Sequence, residues 1–65
     1  DLIIKNETKI THIAIYSMDG KLIQEFSEFK NDSFRIERNE LTSGNYLITV
    51  ADTNGNQNNL RLIVQ

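Results

Sequence analysis

The side chains able to do chemistry in this sequence are few, and their spacing decides what they can do. Nucleophilic catalysis needs a nucleophile beside a base that activates it. The chain has no cysteine and one histidine, so the conventional pairing reduces to a serine with His12. Ser17, Ser27, Ser33 and Ser43 fall beside expected turns or strand ends, and none carries a catalytic signature. Carboxylates are plentiful: Glu7, Asp19, Glu25, Glu28, Asp32, Glu37, Glu40 and Asp52. A glycosidase needs two of them facing each other across a cleft, which a chain of 65 residues does not readily build. They read as solvated charges.

The remaining candidates follow the same course. Asp52-Thr53-Asn54-Gly55 has the opening residues of a calcium loop but no closing Glu at the required spacing, and turn chemistry accounts for it. His12 with only Asp and Glu beside it does not make a usual zinc site. Tyr16, Tyr46, Phe26 and Phe34 lie within strand patterns, where core packing is the default, and Phe29 is the aromatic expected at the surface. With no Trp, there is no evident stacking platform for a sugar or a base. Asn6-Glu7-Thr8 and Asn31-Asp32-Ser33 match the N-glycosylation acceptor pattern, a triplet that arises often by chance in an Asn-rich chain. The expectation is a non-enzymatic protein with no cofactor, no metal and no small-molecule ligand.

Composition agrees. The net charge is −2, with seven Lys and Arg against nine Asp and Glu, and no basic run forms the concentrated face that nucleic-acid binders use. No apolar run approaches bilayer length. The length sets one domain, residues 1–65. So short a chain buries only about 60% of the surface it exposes when unfolded, and disulfides are excluded. Stability must come from sheet packing or from a neighbour in a longer protein. The first residue is Asp1 and no signal-peptide pattern precedes it, so the chain is expected to be an excised or processed piece of something larger.

The elements that hold these residues are strands. Ile13 to Ile23 (I-A-I-Y-S-M-D-G-K-L-I) places Asp19-Gly20 between two alternating runs, which predicts a hairpin with a tight primed turn. A first strand is expected over 1–5 and a polar break at Asn6-Glu7-Thr8. Lys9 to Tyr16 and Lys21 to Phe29 form the hairpin arms, the second unevenly buried or bulged. Lys30-Asn31-Asp32 reads as a turn, Ser33 to Arg38 as a strand, and 39–44 as a connection in which Leu41 plugs the core. Asn45 to Ala51, with Tyr46, Ile48 and Val50 on one face, is the most strand-like run. Asn54-Gly55 marks a second hairpin, and Leu60 to Gln65 closes the chain with Leu60, Leu62 and Val64 sharing a face. About six or seven short strands at these spacings predict an all-β protein, a small antiparallel immunoglobulin-like β-sandwich, with a short open barrel as the alternative.

Several runs together resemble a known family. Ile13 to Ile23 is similar to the "V-x-I-Y-D-x-x-G-K/R-x-V" core of the C-terminal sorting domains carried by cargo of the type IX (Por) secretion system of Bacteroidetes. Leu41 to Val50 (L-T-S-G-N-Y-L-I-T-V) is similar to that family's "L-x-x-G-x-Y-x-x-x-V". Asp52-Thr53-Asn54-Gly55 resembles its next hairpin turn, Leu60 to Gln65 its last strand, and Leu2-Ile3-Ile4-Lys5 the strand after its Pro-Asn-Pro box. The resemblance covers essentially the whole chain in order. Two departures stand out: the Pro-Asn-Pro box is absent, and Arg61 is the only basic residue after Arg38.

The resemblance implies a domain at the end of a larger cargo protein. It would be recognised by the outer-membrane secretion translocon, with a cell-surface sorting peptidase acting as the cargo passes from the periplasm to the cell surface or the extracellular space. An exposed last strand suits strand addition to a receptor, with Arg61 and Ile63 carrying side-chain contacts. Gly20 and Lys21 at the hairpin turn form a second candidate surface, although the turn alone explains Gly20, and a solvated edge charge is the plain account of Lys21. An uncovered edge also allows an edge-strand dimer. The rival readings are a non-catalytic immunoglobulin-like spacer or adhesion module of a surface protein, and a carbohydrate-binding module lacking its aromatic platform.

Overall fold

The computed structural model describes residues 2–37 and 41–65. Five strands, all paired antiparallel, make up the described chain: β1 (Leu2–Ser17), β2 (Leu22–Phe26), β3 (Asn31–Ile36), β4 (Gly44–Asp52) and β5 (Gln57–Val64). The expected antiparallel all-β fold is the fold found. Arg38, Asn39 and Glu40, the end of one expected strand and the start of the expected connection, lie outside the described residues, as does Asp1.

β1 organises the molecule. Its first part, Leu2 to Lys5, pairs with β3; its last part, Ile13 to Tyr16, lies between β2 and β4. β4 then pairs with β5, giving the order β2-β1-β4-β5. A straight strand of this length would span about 50 Å at the usual rise per residue, yet the longest dimension of the molecule is 31 Å. β1 therefore bends sharply. The bend brings Ile4 and Ile36 at one end into the same core as Ile13, Ile15, Tyr46, Ile48 and Val50 at the other, an arrangement compatible with the expected sandwich.

The polar triplet Asn6-Glu7-Thr8, expected to separate two strands, instead lies inside this one. Its side chains replace the ladder bonds lost at the bend. Asn6 Nδ2 donates to the Thr8 carbonyl and to Thr8 Oγ1, each at 3.0 Å. The pairing slips in register between Lys5 and Ile10 on the β3 side and between Ile10 and His12 on the β4 side. The triplet breaks the ladder but not the strand.

Both hairpins fold as their Asx-Gly pairs predict, with a different turn. Ser17 N donates to Lys21 O at 2.9 Å and Gly20 N to Ser17 O at 3.0 Å; Asp52 N donates to Asn56 O and Gly55 N to Asp52 O, both at 3.1 Å. Each loop is thus three residues long, with glycine alone in the left-handed region (φ 90° at Gly20, 82° at Gly55). That is the turn-plus-bulge solution rather than the two-residue primed turn. The expected irregularity of the second arm is a bulge at Ile23, since Gln24 pairs with Ile15 but Leu22 with Tyr16. The arm ends at Phe26, and the chain turns before Asn31 through Glu28 at φ 63°. Phe29, expected at the surface, is half-buried against the core, its ring 4.9 Å from that of Phe34.

Leu41 plugs the core as expected. Its run L-T-S-G-N-Y forms a tyrosine corner: Tyr46 Oη donates to the Thr42 carbonyl four residues upstream at 2.6 Å. Gly44 holds φ 151°, and a β-carbon there would lie 3.9 Å from the Tyr46 ring. The motif is a corner that launches β4.

Candidate functional site

Strand register sorts the side chains into two faces. Ile13, Ile15, Tyr46 and Ile48, with Leu60 and Leu62 across from β4, face the core. On the outer face, Leu22, Tyr16, Leu47 and Arg61 form one row across β2, β1, β4 and β5. Ile63, opposite Asn45, lies one outward position further along β5 and is 62% exposed.

The two candidate surfaces come together at one end of the sheet. The row Ser17–Tyr46–Leu62 puts the hairpin tip carrying Gly20 and Lys21 at the same end as Ile63. β1 and β5 are separated there by β4 alone, about 10 Å between strand axes. An apolar cavity of about 270 Å³ lined by Tyr16, Ser17, Met18, Gly20 and Leu47 opens beside the tip. Lys21 pairs with Ser17, so by strand alternation it leaves the core-side face beyond the last buried row, whereas Arg61 and Ile63 belong to the outer face.

The outer apolar row is a feature that sequence reasoning overlooked. The signal was there: Ala14 and Tyr16 alternate with Ile13 and Ile15, so both faces of β1 are apolar. Ala14 is fully buried on this outer side. Further along the face, His12 Nε2 meets Glu25 Oε2 at 2.6 Å, so the polar partner of the lone histidine is a carboxylate. Asp19 is bonded to Ser17 Oγ within the tip. That hydroxyl, then the backbone N–H groups of the turn, holds the Asp19 carboxyl below the usual carboxylate range.

At the opposite end, Asp52 is a structural hub. Its Oδ2 accepts from Thr8 Oγ1 at 2.6 Å and from Asn6 Nδ2 at 3.3 Å; its Oδ1 accepts from Asn54 N and Asn56 N, each at 3.0 Å. The Thr8 hydroxyl leads the bonds that hold the Asp52 carboxyl below its ordinary value. The turn reading of Asp52-Thr53-Asn54-Gly55 therefore stands, and the carboxylate is spent on the fold. A polar cleft of about 580 Å³, lined among others by Asn54, Asn56 and Asn58, surrounds it. Among the described residues no cluster of three or more His, Cys, Asp or Glu is placed to hold a metal, and no helix is long and apolar enough to cross a membrane.

The fold and this surface define a small all-β module whose distinctive features are an edge strand and an outer apolar row that is half-buried at Tyr16 and Leu47 and exposed at Leu22. A family model described as the secretion system C-terminal sorting domain matches residues 1–65, the whole chain. The chain belongs to that family, the sorting signals of type IX secretion. No curated protein and no solved structure gives a match.

Proposed function

We propose that this domain ends a larger cargo protein and directs it through the type IX outer-membrane translocon. Recognition uses the end of the sheet that carries Gly20, Lys21, Arg61 and Ile63. The translocon reads the hairpin tip and the outer side of β5, and a surface peptidase then acts on the exported cargo. The domain contributes binding, and bond cleavage belongs to its partners. One observation carries the reading: two stretches about forty residues apart, both motif-bearing, converge on one end of the sheet, beside the outer-face apolar row of Leu22, Tyr16 and Leu47. Solvated polar side chains would suffice there for folding alone.

The test is export of a reporter fused to this chain with its natural upstream residues in a type IX-competent host. Lys21→Glu and Ile63→Asp lie at exposed positions, so both variants are expected to fold, checked by circular dichroism, and to lower export several-fold. Export of both at the unmodified level would reject this surface. Periplasmic retention of the unmodified fusion, where an established sorting domain exports the same reporter, would reject the function itself.

A further inference from the structure

The sheet has two edges, and they differ in charge and regularity. The β2–β3 edge is bulged at Ile23, interrupted before Asn31, and carries Glu25, Asp32 and Arg35. Charges and bulges of this kind keep an edge from pairing with another chain. β5 is less guarded. It pairs with β4 residue by residue from Gln57 to Val64 with no slip in register, and Arg61 is its single charge. Leu60, 41% exposed, and Leu62 and Val64 extend the core-side face up to this edge.

Arg61 indicates what such an edge would take. Its register neighbours on the outer face are Leu47, Asn59 and Ile63, none of them acidic. The ion pair between His12 and Glu25 lies across β1 and β2, away from β5. A guanidinium on an edge strand, flanked by an apolar side chain, is completed by a carboxylate from a strand laid alongside, because cross-strand pairs of opposite charge stabilise a ladder. A second copy of β5 brings no such group, since Gln57–Val64 contains neither Asp nor Glu.

We propose that β5 receives an extended strand from a partner polypeptide, with a carboxylate opposite Arg61 and apolar side chains at the positions that continue the Leu60–Leu62–Val64 face. The proposal rests on the β5 half of the sorting reading and names the chemistry of the partner segment. Main-chain bonds along β5 supply the affinity, and the carboxylate sets the register.

The test uses three synthetic peptides of alternating valine and threonine, identical except for Glu, Gln or Lys at one central outward position. Binding to the intact domain is followed by amide hydrogen exchange and by fluorescence anisotropy. The Glu peptide is expected to slow exchange along β5 and to bind about 1.4-fold to fivefold tighter than the Gln peptide, the range of one cross-strand charge pair. Arg61→Gln removes that preference, and Arg61→Glu reverses it in favour of the Lys peptide. Equal affinity of the three peptides for the unmodified domain would overturn the proposal. So would protection on the β2–β3 edge, or a concentration-dependent protection of β5 without peptide, which would assign the edge to a second copy. Peptide preference is read without export, so its loss in a domain that still exports cargo removes this inference alone. Failed export with the preference intact removes the sorting reading.

Discussion

Met18-Asp19-Gly20 and Thr53-Asn54-Gly55 fill the same three-residue loop, each with glycine at positive φ and the same pair of closing backbone bonds. Each hairpin also uses an aspartate to accept hydrogen bonds. Asp19 bonds within its own loop, to Ser17. Asp52 reaches across the molecule to Thr8 and Asn6, and the Thr53 N–H donates to the Lys9 carbonyl at 3.0 Å. Identical turn chemistry thus serves opposite ends: one loop closes the bend of β1 against the β4–β5 hairpin, and the other projects free beside an apolar cavity. Secondary contacts, not turn type, decide which loop is available to a partner.

The sharpest way to break this comparison is Asp52→Ala beside Asp19→Ala. Loss of Asp52 removes four accepted bonds, two of them bridging distant segments, and is expected to lower the urea midpoint far more than loss of Asp19. Equal losses would mean that the bridge adds nothing to the turn. Gly20→Ala and Gly55→Ala come next. Neither new β-carbon would meet an atom within 4 Å, so the cost is conformational, about 1–2 kcal/mol at each site. Equal values confirm that the loops are locally the same; a difference above the error of chemical denaturation would contradict it.

Smaller effects sharpen the contrast. Thr8→Val deletes the 2.6 Å bond to Asp52 and is expected to cost about 1 kcal/mol, the net worth of a typical hydrogen bond. Ser17→Ala removes a hydroxyl that bonds to Asp19 and to the Lys21 carbonyl within its own hairpin, and is expected to cost less, about 0.5 kcal/mol, the low end for a hydrogen bond. Acid titration gives the subtlest readout. Both carboxyls lie below their ordinary value in the folded state. Their contribution is therefore complete above the unfolded carboxylate range and is lost as pH falls through the folded values. Stability should hold near neutrality and decline in acid below about pH 4. Asp52→Asn is expected to flatten that decline more than Asp19→Asn, and the opposite order would show the tip to be the tighter of the two sites.

Strand content was legible because it depends on local alternation. Tyr46, Ile48 and Val50 on β4 and Leu60, Leu62 and Val64 on β5 lie on the face that their spacing indicated, and both Asx-Gly pairs close hairpins. Phe29 and Asn6-Glu7-Thr8 were misread for one reason. A polar or terminal position says nothing of what packs over it, and here Phe34 covers the first and Asp52 binds the second. The candidate surface was legible in part. Arg61 and Ile63 follow from outward alternation, but Tyr16 and Leu47 became visible as a shared row once β1 was paired with β4.

By itself, then, the sequence determined the strands, the two glycine turns, the tyrosine corner's components and the family order of its motifs, all of them short-range patterns in side-chain type. The tertiary structure decided where β1 bends, which loop is tied down and which edge stays bare. Those outcomes depend on contacts between segments far apart in the chain, such as Thr8 and Asp52 at a separation of 44 residues. Closing such a loop costs entropy that only the assembled core offsets.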